Sequence, residues 1–456
     1  MKNRIVRVPQ FVFGSILIYL LFSVLAYAFN FKWRPFQKVN LISEIVKRDS
    51  PSIARHTATI KKNDSAISVP IAQKKDTGRN FLLYSKPHFI TNFSADTNTA
   101  ALENFLSKLH DLKKGKKRKI RIGYFGDSMI EGDLLTQTVR RLLQKEFGGA
   151  GVGFVPITSE VSKYRVSVTD NYSDGWRDEN FRTEHPGNKL FLSGHLFHAD
   201  NDWVEMKDHT IFDSMPIEKI LLCGHNDQPL AVTINNIGQK LNVDKLFNRI
   251  VVDSDANRSV KMSVTNTDCA LYGISFESES GIILDNFSFR GISGFELNKI
   301  DTSFLKAIAE NDPYDLLIFQ YGVNVLFRPN DKNFDWYSRV IIPLITKFKS
   351  CFKGSDFLIV STTDRAFRYD DEYKSALGID SLIKTQALIA FETGCNFYNQ
   401  FETMGGHNSI VDWVNQDPPL AKKDYIHPSS RGAEILGNYL FAAMMKEYKK
   451  YTDSLK

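Results

Sequence analysis

The chain has 456 residues, with 58 Lys and Arg against 52 Asp and Glu for a net charge of +6. Hydrophobic residues make up 43% and charged residues 24%, which excludes wholesale disorder, and 27 Gly with 15 Pro exclude collagen-like and Pro-rich architectures. The charge is too balanced for a dedicated nucleic-acid binder, and four scattered cysteines without a CxxC pair encode neither a zinc site nor a disulfide framework.

From Phe11 to Phe29 run nineteen residues without a charge. As a helix they span roughly 28 Å, against a hydrocarbon core of about 30 Å. Lys2, Arg4 and Arg7 precede them, so residues 1–10 are expected in the cytoplasm and the rest outside. Ala26-Tyr27-Ala28 also has the small-x-small form of a signal-peptidase site, but the run exceeds the usual apolar region of about 7–15 residues, which favours a retained transmembrane anchor over 11–29. Either way the bulk is exported, and the expected location is an inner-membrane anchor with the catalytic part on the periplasmic or extracytoplasmic side. Residues 30–80 are polar and aperiodic and read as a flexible linker, about 40 Å root-mean-square. The basic run Lys113–Arg121 reads as a solvated loop entering a strand, because an exported chain meets little nucleic acid.

Ile120 to Phe125 alternates at period two and stops at Gly126, a strand signature. Leu134, Leu135, Val139, Leu142, Leu143 and Phe147 recur at helical spacing, with Gly148-Gly149 as the stop. The following GGAGVG comes after the helix, whereas a phosphate-binding loop comes between strand and helix, so it reads as a cap and loop. Over 156–280 the pattern is short apolar runs (164–168, 189–192, 217–223, 230–234, 260–264 and 270–276) divided by Asn, Asp and Gly turns, which predicts a small β-sandwich. After Gly281 strands at 316–319, 357–360 and 396–398 alternate with amphipathic helices, the last carrying Ala433, Leu436, Leu440 and Met444. That alternation implies parallel strands with right-handed crossovers. The expected fold is a doubly wound parallel α/β sheet flanked by helices, in two segments (81–155 and 281–456), with an inserted all-β sandwich-like domain at 156–280.

In such a sheet function gathers at the carboxyl ends of the strands. Three of those ends read Gly126-Asp127-Ser128, Gly322-Val323-Asn324 and, before the last helix, Asp424-Tyr425-Ile426-His427. A serine hydroxyl needs a base to take its proton, and imidazole titrates near neutrality. Asp424 lies three residues before His427, close enough for one short loop to bring its carboxylate to Nδ1 and fix the tautomer. Donors for a developing oxyanion are the Ser128 N–H, the Asn324 amide and a Gly N–H within Gly291–Gly294. His195 and His198 with Asp200 suggest a metal site, but positions i and i+3 of a strand face opposite ways, so no metal is read there and no cofactor is implied. Trp176, Trp203, Phe191 and Tyr164 fit either sugar stacking or sandwich core. Trp336 and Trp413 lie near the site in sequence without an assignable role.

Gly126-Asp127-Ser128, Gly294, Gly322-Val323-Asn324 and Asp424–His427 resemble, in order, the four blocks of the SGNH (GDSL-type) esterase family. The resemblance covers about 119–155 and 281–450 and implies Ser128 as nucleophile, Asp424 and His427 as the rest of a triad, and Ser128, Gly294 and Asn324 as the oxyanion hole, with Gly126, Asp127 and Gly322 in support. Gly132-Asp133, Thr136, Arg140, Gly151-Val152-Gly153 and Pro156 are similar to the bacterial peptidoglycan O-acetylesterase branch, which carries a carbohydrate-module-like β domain at the same place. Met129 replaces the Leu of the family motif, and Val325 follows Asn324 where many members have an acidic residue. The resemblance implies a serine esterase that removes O-acetyl groups from a cell-envelope polysaccharide, peptidoglycan first. Two alternatives share the same residues: an O-acetyltransferase served by a membrane acyl-donor partner, and a non-catalytic glycan-binding envelope protein.

Overall fold

The computed structural model describes residues 79–456, except 184, 186, 211–214 and 266, together with Ile18 and Leu21. Apart from Ile18 and Leu21, which are helical and exposed, and Arg79 and Asn80, the segment 11–29 and the linker 30–80 lie outside the described residues. Among the described residues no helix is long and apolar enough to cross a membrane.

The chain opens with β1 (Ile90–Thr91), α1 (Glu103–Lys113), β2 (Lys119–Gly126) and α2 (Thr136–Phe147). A run of strands follows: β3 (Gly153–Pro156), β4 (Val168–Tyr172), β5 (Arg177–Asn180), β6 (His195–His198), β7 (Asp202–Asp208), β8 (Ile217–Gly224), β9 (Leu230–Ile234), β10 (Ile237–Leu241), β11 (Phe247–Asp255), β12 (Ser259–Val264) and β13 (Leu271–Glu277). Alternation then resumes with β14 (Gly281–Ser288), α3 (Thr302–Asn311), β15 (Leu316–Gln320), α4 (Asp335–Cys351), β16 (Asp356–Val360), β17 (Ala366–Tyr369), β18 (Glu372–Ser375), α5 (Ile379–Thr393) and β19 (Asn396–Tyr398). Three helices close the chain: α6 (Gln400–Met404), α7 (Ser409–Asn415) and α8 (Ser430–Ser454).

The central sheet has the order β1-β19-β16-β15-β2-β14, parallel throughout except for β1. Numbered along the chain, its parallel strands β2, β14, β15, β16 and β19 stand in the order 2-1-3-4-5, which puts the topological switch point between β2 and β15. Successive side chains leave a strand on opposite faces, so Phe125 and Tyr124 of β2 serve different cores. On one face Phe125, Phe319 and Phe357 form a ladder, with centroids 4.9 and 6.2 Å apart and planes within 7°, beneath α3, α4 and α5. On the other, Tyr124, Ile122, Ile318 and Leu358 pack under α1, α2 and α8. Each buried aromatic or aliphatic side chain contributes about 1.5–3 kcal/mol.

The inserted strands form two facing antiparallel sheets, β10-β9-β12-β7-β4 and β11-β8-β13-β6-β5. Val204, Met206, Val260, Met262, Leu221, Ile274 and Phe276 fill the space between them. Strand β3 pairs with β13, so the insertion begins at Gly153 and not at Pro156. Residues 164–168 are not a strand: Ser162–Tyr164 is a 3₁₀ turn, and pairing starts only at Val168. Residues 189–192, buried from Leu190 on, form no strand, because Phe191 N–H bonds the His195 carbonyl and Gly194 N–H bonds the Phe191 carbonyl, which closes a turn.

Two buried ionic joints tie the insertion to the sheet. Asp133 receives Arg140 Nη1 at 2.8 Å and the Ser167 hydroxyl at 2.6 Å. Arg121 meets Glu277 at 2.8 Å, Asp285 at 3.2 Å and Asp312 at 2.6 Å. Gly151 lies against β13 with φ +99°, where a Cβ would stand 2.1 Å from the Phe276 carbonyl oxygen. The glycine-rich run is thus a backbone crossing between the two parts.

Candidate active site

Ser128 follows β2 and Asn324 follows β15, one on each side of the switch point. Ser128 Oγ lies 2.8 Å from His427 Nε2, and His427 Nδ1 lies 2.8 Å from Asp424 Oδ2. The other oxygen of Asp424 accepts the N–H groups of Ile426 and His427, each at 3.0 Å. Burial alone would raise the Asp424 carboxyl, but the backbone donors and the imidazole outweigh it and hold the group below its ordinary range. Asp424 is therefore ionised and faces the ring nitrogen that carries the proton when Nε2 accepts one.

The loop is held by a contact that the sequence pattern does not announce. Tyr425 is left-handed, with φ +57°. Its carbonyl accepts the Ala366 N–H at 3.1 Å, and its ring stacks on Tyr373 with centroids 3.7 Å apart. The hairpin β17–β18 thus clamps the segment that carries the acid and the base.

Asp127 is fully buried. One of its oxygens accepts the Met129 N–H at 3.0 Å, and the other accepts Asn324 Nδ2 at 3.0 Å. Burial nevertheless pushes its carboxyl up to about 7. Gly126 packs where a Cβ would lie 2.8 Å from the Ile130 side chain. Gly322 packs where one would lie 2.5 Å from Thr362 Cβ.

The three sequence-expected oxyanion donors are differently placed. The Ser128 N–H has no hydrogen-bond acceptor among the described residues. Asn324 spends its amide protons on Asp127 Oδ2 and on the Ile292 carbonyl at 2.9 Å. Gly294 lies at φ +95° over the Tyr321 ring, and the carboxylate of Glu296, two residues on, takes the Ser293 N–H at 3.1 Å. Tyr337 O–H donates to the Ser293 carbonyl at 2.8 Å and fixes this turn from below. Glu296, Tyr337 and Tyr373 were not legible as site residues. Only the position of Glu296, three residues after Ser293, carried a capping-type signal.

His195 Nδ1 lies 2.8 Å from Asp178, and no group of three or more metal-ligating side chains occurs among the described residues. Phe191 is core, Trp176 donates to the Trp203 carbonyl at 3.0 Å, and Tyr164 is exposed. Trp413 is buried in the core under α8, and Trp336 is partly exposed beside Tyr337.

No family model matches the chain, and no curated protein matches it. Among solved structures it is similar to a peptidoglycan O-acetylesterase, with a TM-score of 0.66 and 19% identity over 76% of this chain and 96% of that one. The chain shares the fold of that protein. The overlap with the acetylxylan esterase Axe2 from Geobacillus stearothermophilus is partial, at TM-score 0.25 and 21% identity over 37% of this chain and 74% of that one. This fold puts the Ser128 turn, the Asn324 turn and the His427 loop on a single edge of the sheet.

Proposed function

We propose that the protein is a serine esterase that removes O-acetyl groups from a cell-envelope polysaccharide, with peptidoglycan the first candidate. One observation carries this reading: an unbroken Ser128–His427–Asp424 chain with both links at 2.8 Å. Similarity of fold to a peptidoglycan O-acetylesterase supports the substrate class.

In this reading Ser128 Oγ attacks the acetyl carbonyl while His427 Nε2 takes its proton, and Asp424 steadies the imidazolium. The oxyanion forms against the Ser128 N–H. Gly294 N–H joins it, and Asn324 joins by sharing a proton now bonded to Asp127 or Ile292. The intermediate then collapses with cleavage of the bond between the acetyl carbon and the sugar oxygen, and the imidazolium gives its proton to that departing oxygen. Water, deprotonated by His427, attacks the acetyl–serine, and collapse releases acetate and restores the Ser128 O–H. The charge-free run 11–29 would hold this site outside the inner membrane.

The test is acetate release from O-acetylated peptidoglycan by the full-length protein beside its Ser128→Ala variant. Release by the wild type alone is expected. Equal release by both, or acetyl transfer to an acceptor oligosaccharide in place of acetate release, would overturn the reading.

A further inference from the structure

A cleft of roughly 230 Å³ opens between the sheet edge and the insertion, lined by residues of both. It lies next to the proposed nucleophile. Ser288, the last residue of β14 and part of the lining, is in register with Gly126 of β2, and the Phe289 N–H donates to the Gly126 carbonyl at 3.1 Å. Neighbouring strands stand about 4.8 Å apart. The cleft therefore begins one strand away from the Ser128 turn, and Glu131 and Gly132 of the segment after Ser128 form part of its wall.

Most of the charge in this wall is matched internally. Glu131 pairs with Arg290 at 2.8 Å, Asp178 meets His195 at 2.8 Å, and Asp133 is held by Arg140 at 2.8 Å. Arg165 is different. Its side chain is only 8% exposed, and its Nη2 lies 3.7 Å from Asp133, beyond hydrogen-bond reach of an oxygen already taken by Arg140 and Ser167. Arg165 Nε and Nη2 are buried without a hydrogen-bond partner, and so is the hydroxyl of Ser193 across the same cleft. Buried donors in folded proteins almost always have acceptors, and an ionised one is the most costly to leave without. Arg182, whose Nη2 donates to the Arg290 carbonyl at 2.8 Å, adds a third guanidinium to the lining beside those of Arg165 and Arg290, with Glu160 the remaining acid.

A guanidinium without a hydrogen-bonded acceptor favours a carboxylate over a neutral hydroxyl. We infer that this cleft binds a carboxylate carried by the substrate glycan beside the O-acetylated sugar, with Arg165 as its principal partner and Ser193 as a neutral donor. The inference rests on the esterase reading for its substrate class. It makes the site selective for acidic glycans over neutral acetylated ones.

The test separates the two claims by measuring binding without turnover. The full-length Ser128→Ala protein is titrated calorimetrically with the N-acetylglucosaminyl–N-acetylmuramic acid disaccharide, and with the same disaccharide after reduction of its carboxyl to an alcohol. The acid is expected to bind about tenfold more tightly, the usual scale for one charge-assisted pair. Equal affinities would overturn the inference. Adding Arg165→Gln should make the two sugars bind alike, and a surviving preference for the acid would also overturn it. If that variant does not melt cooperatively, the comparison of the two sugars in the parent protein decides alone. Acetate release enters neither titration, so an inactive wild type would defeat the esterase reading and leave the carboxylate preference to stand or fall by itself.

Discussion

Asp127 and Asn324 grip one another across the switch point, Nδ2 donating to Oδ2 at 3.0 Å, and this bond orients the amide beside Ser128. Asp127→Asn keeps an acceptor for the Met129 N–H but turns an NH₂ group toward the Asn324 NH₂. One of the two amides must then turn away. Turnover is expected to fall about 10²-fold, the scale of one lost oxyanion donor, with KM nearly unchanged. A variant with wild-type kcat would remove Asp127 from any positioning role.

The same substitution has a signature in stability. Burial raises the Asp127 carboxyl to about 7, well above its unfolded value. The folded wild type therefore holds its proton more tightly, and the associated stability is present at pH 4 and lost as pH rises to 7. The neutral Asn has no such dependence. Chemical denaturation should show Asp127→Asn gaining on the wild type by up to about 4 kcal/mol between pH 4 and pH 7. A pH-independent difference would mean that Asp127 does not titrate in this range.

Glu296 accepts the Ser293 N–H at 3.1 Å, one residue before Gly294, the proposed second oxyanion donor, and burial raises its carboxyl above the ordinary range. Once ionised it repels the developing oxyanion. Glu296→Gln keeps an acceptor for the Ser293 N–H and drops the charge. It should raise kcat several-fold at pH 8, and the gain should shrink as pH falls and the wild-type carboxyl becomes neutral. A pH–rate profile of 4-nitrophenyl acetate hydrolysis checks this, and a variant slower than wild type at pH 8 would contradict it.

How far the sequence reached depended on how local each signal was. Strands 316–320, 356–360 and 396–398 and the helix over 430–454 follow from period and end signals within their own windows. The pairing of Ser128 with His427 was legible because each sits in a short motif at the end of an element. Strand β14 was not, since Asp285 at its centre reads as a break. The structure satisfies that carboxylate with Arg121 at 3.2 Å and Tyr314 at 2.8 Å, partners that lie 164 and 29 residues away. Hairpin β17–β18 turns through Asp370 and Asp371 at φ +46° and +71°, a tight turn without the Gly that usually marks one. Glu296 carried only its spacing from Ser293, and it took the fold to bring that turn to Asn324, which donates to the Ile292 carbonyl.

Tyr373 lies on that hairpin and reaches the Asp424–His427 loop through Tyr425. Removing its ring loosens a stack of about 0.5–1.5 kcal/mol that holds the left-handed Tyr425. Tyr373→Ala should therefore lower kcat by about two- to tenfold and leave KM unchanged, with Tyr373→Phe restoring the rate. A rise in KM without loss of kcat would instead make the ring a substrate contact.

Asp133 and Arg140 are both 1% exposed and joined through both guanidinium nitrogens at 2.8 Å. Burial would raise the Asp133 carboxyl, yet Arg140, Arg165 and the Ser167 hydroxyl hold it well below its ordinary range. The resulting stability is complete above the unfolded carboxyl value near pH 4 and is lost as pH falls toward the folded one. Asp133→Asn leaves Arg140 charged, buried and without its counter-ion, which costs about 3–5 kcal/mol. Urea denaturation at pH 7 should show that full deficit. At pH 3 the deficit should be smaller, because the wild type has by then begun to lose the same stabilisation while the variant has none to lose. Equal deficits at the two pH values would show that the joint does not depend on the Asp133 charge.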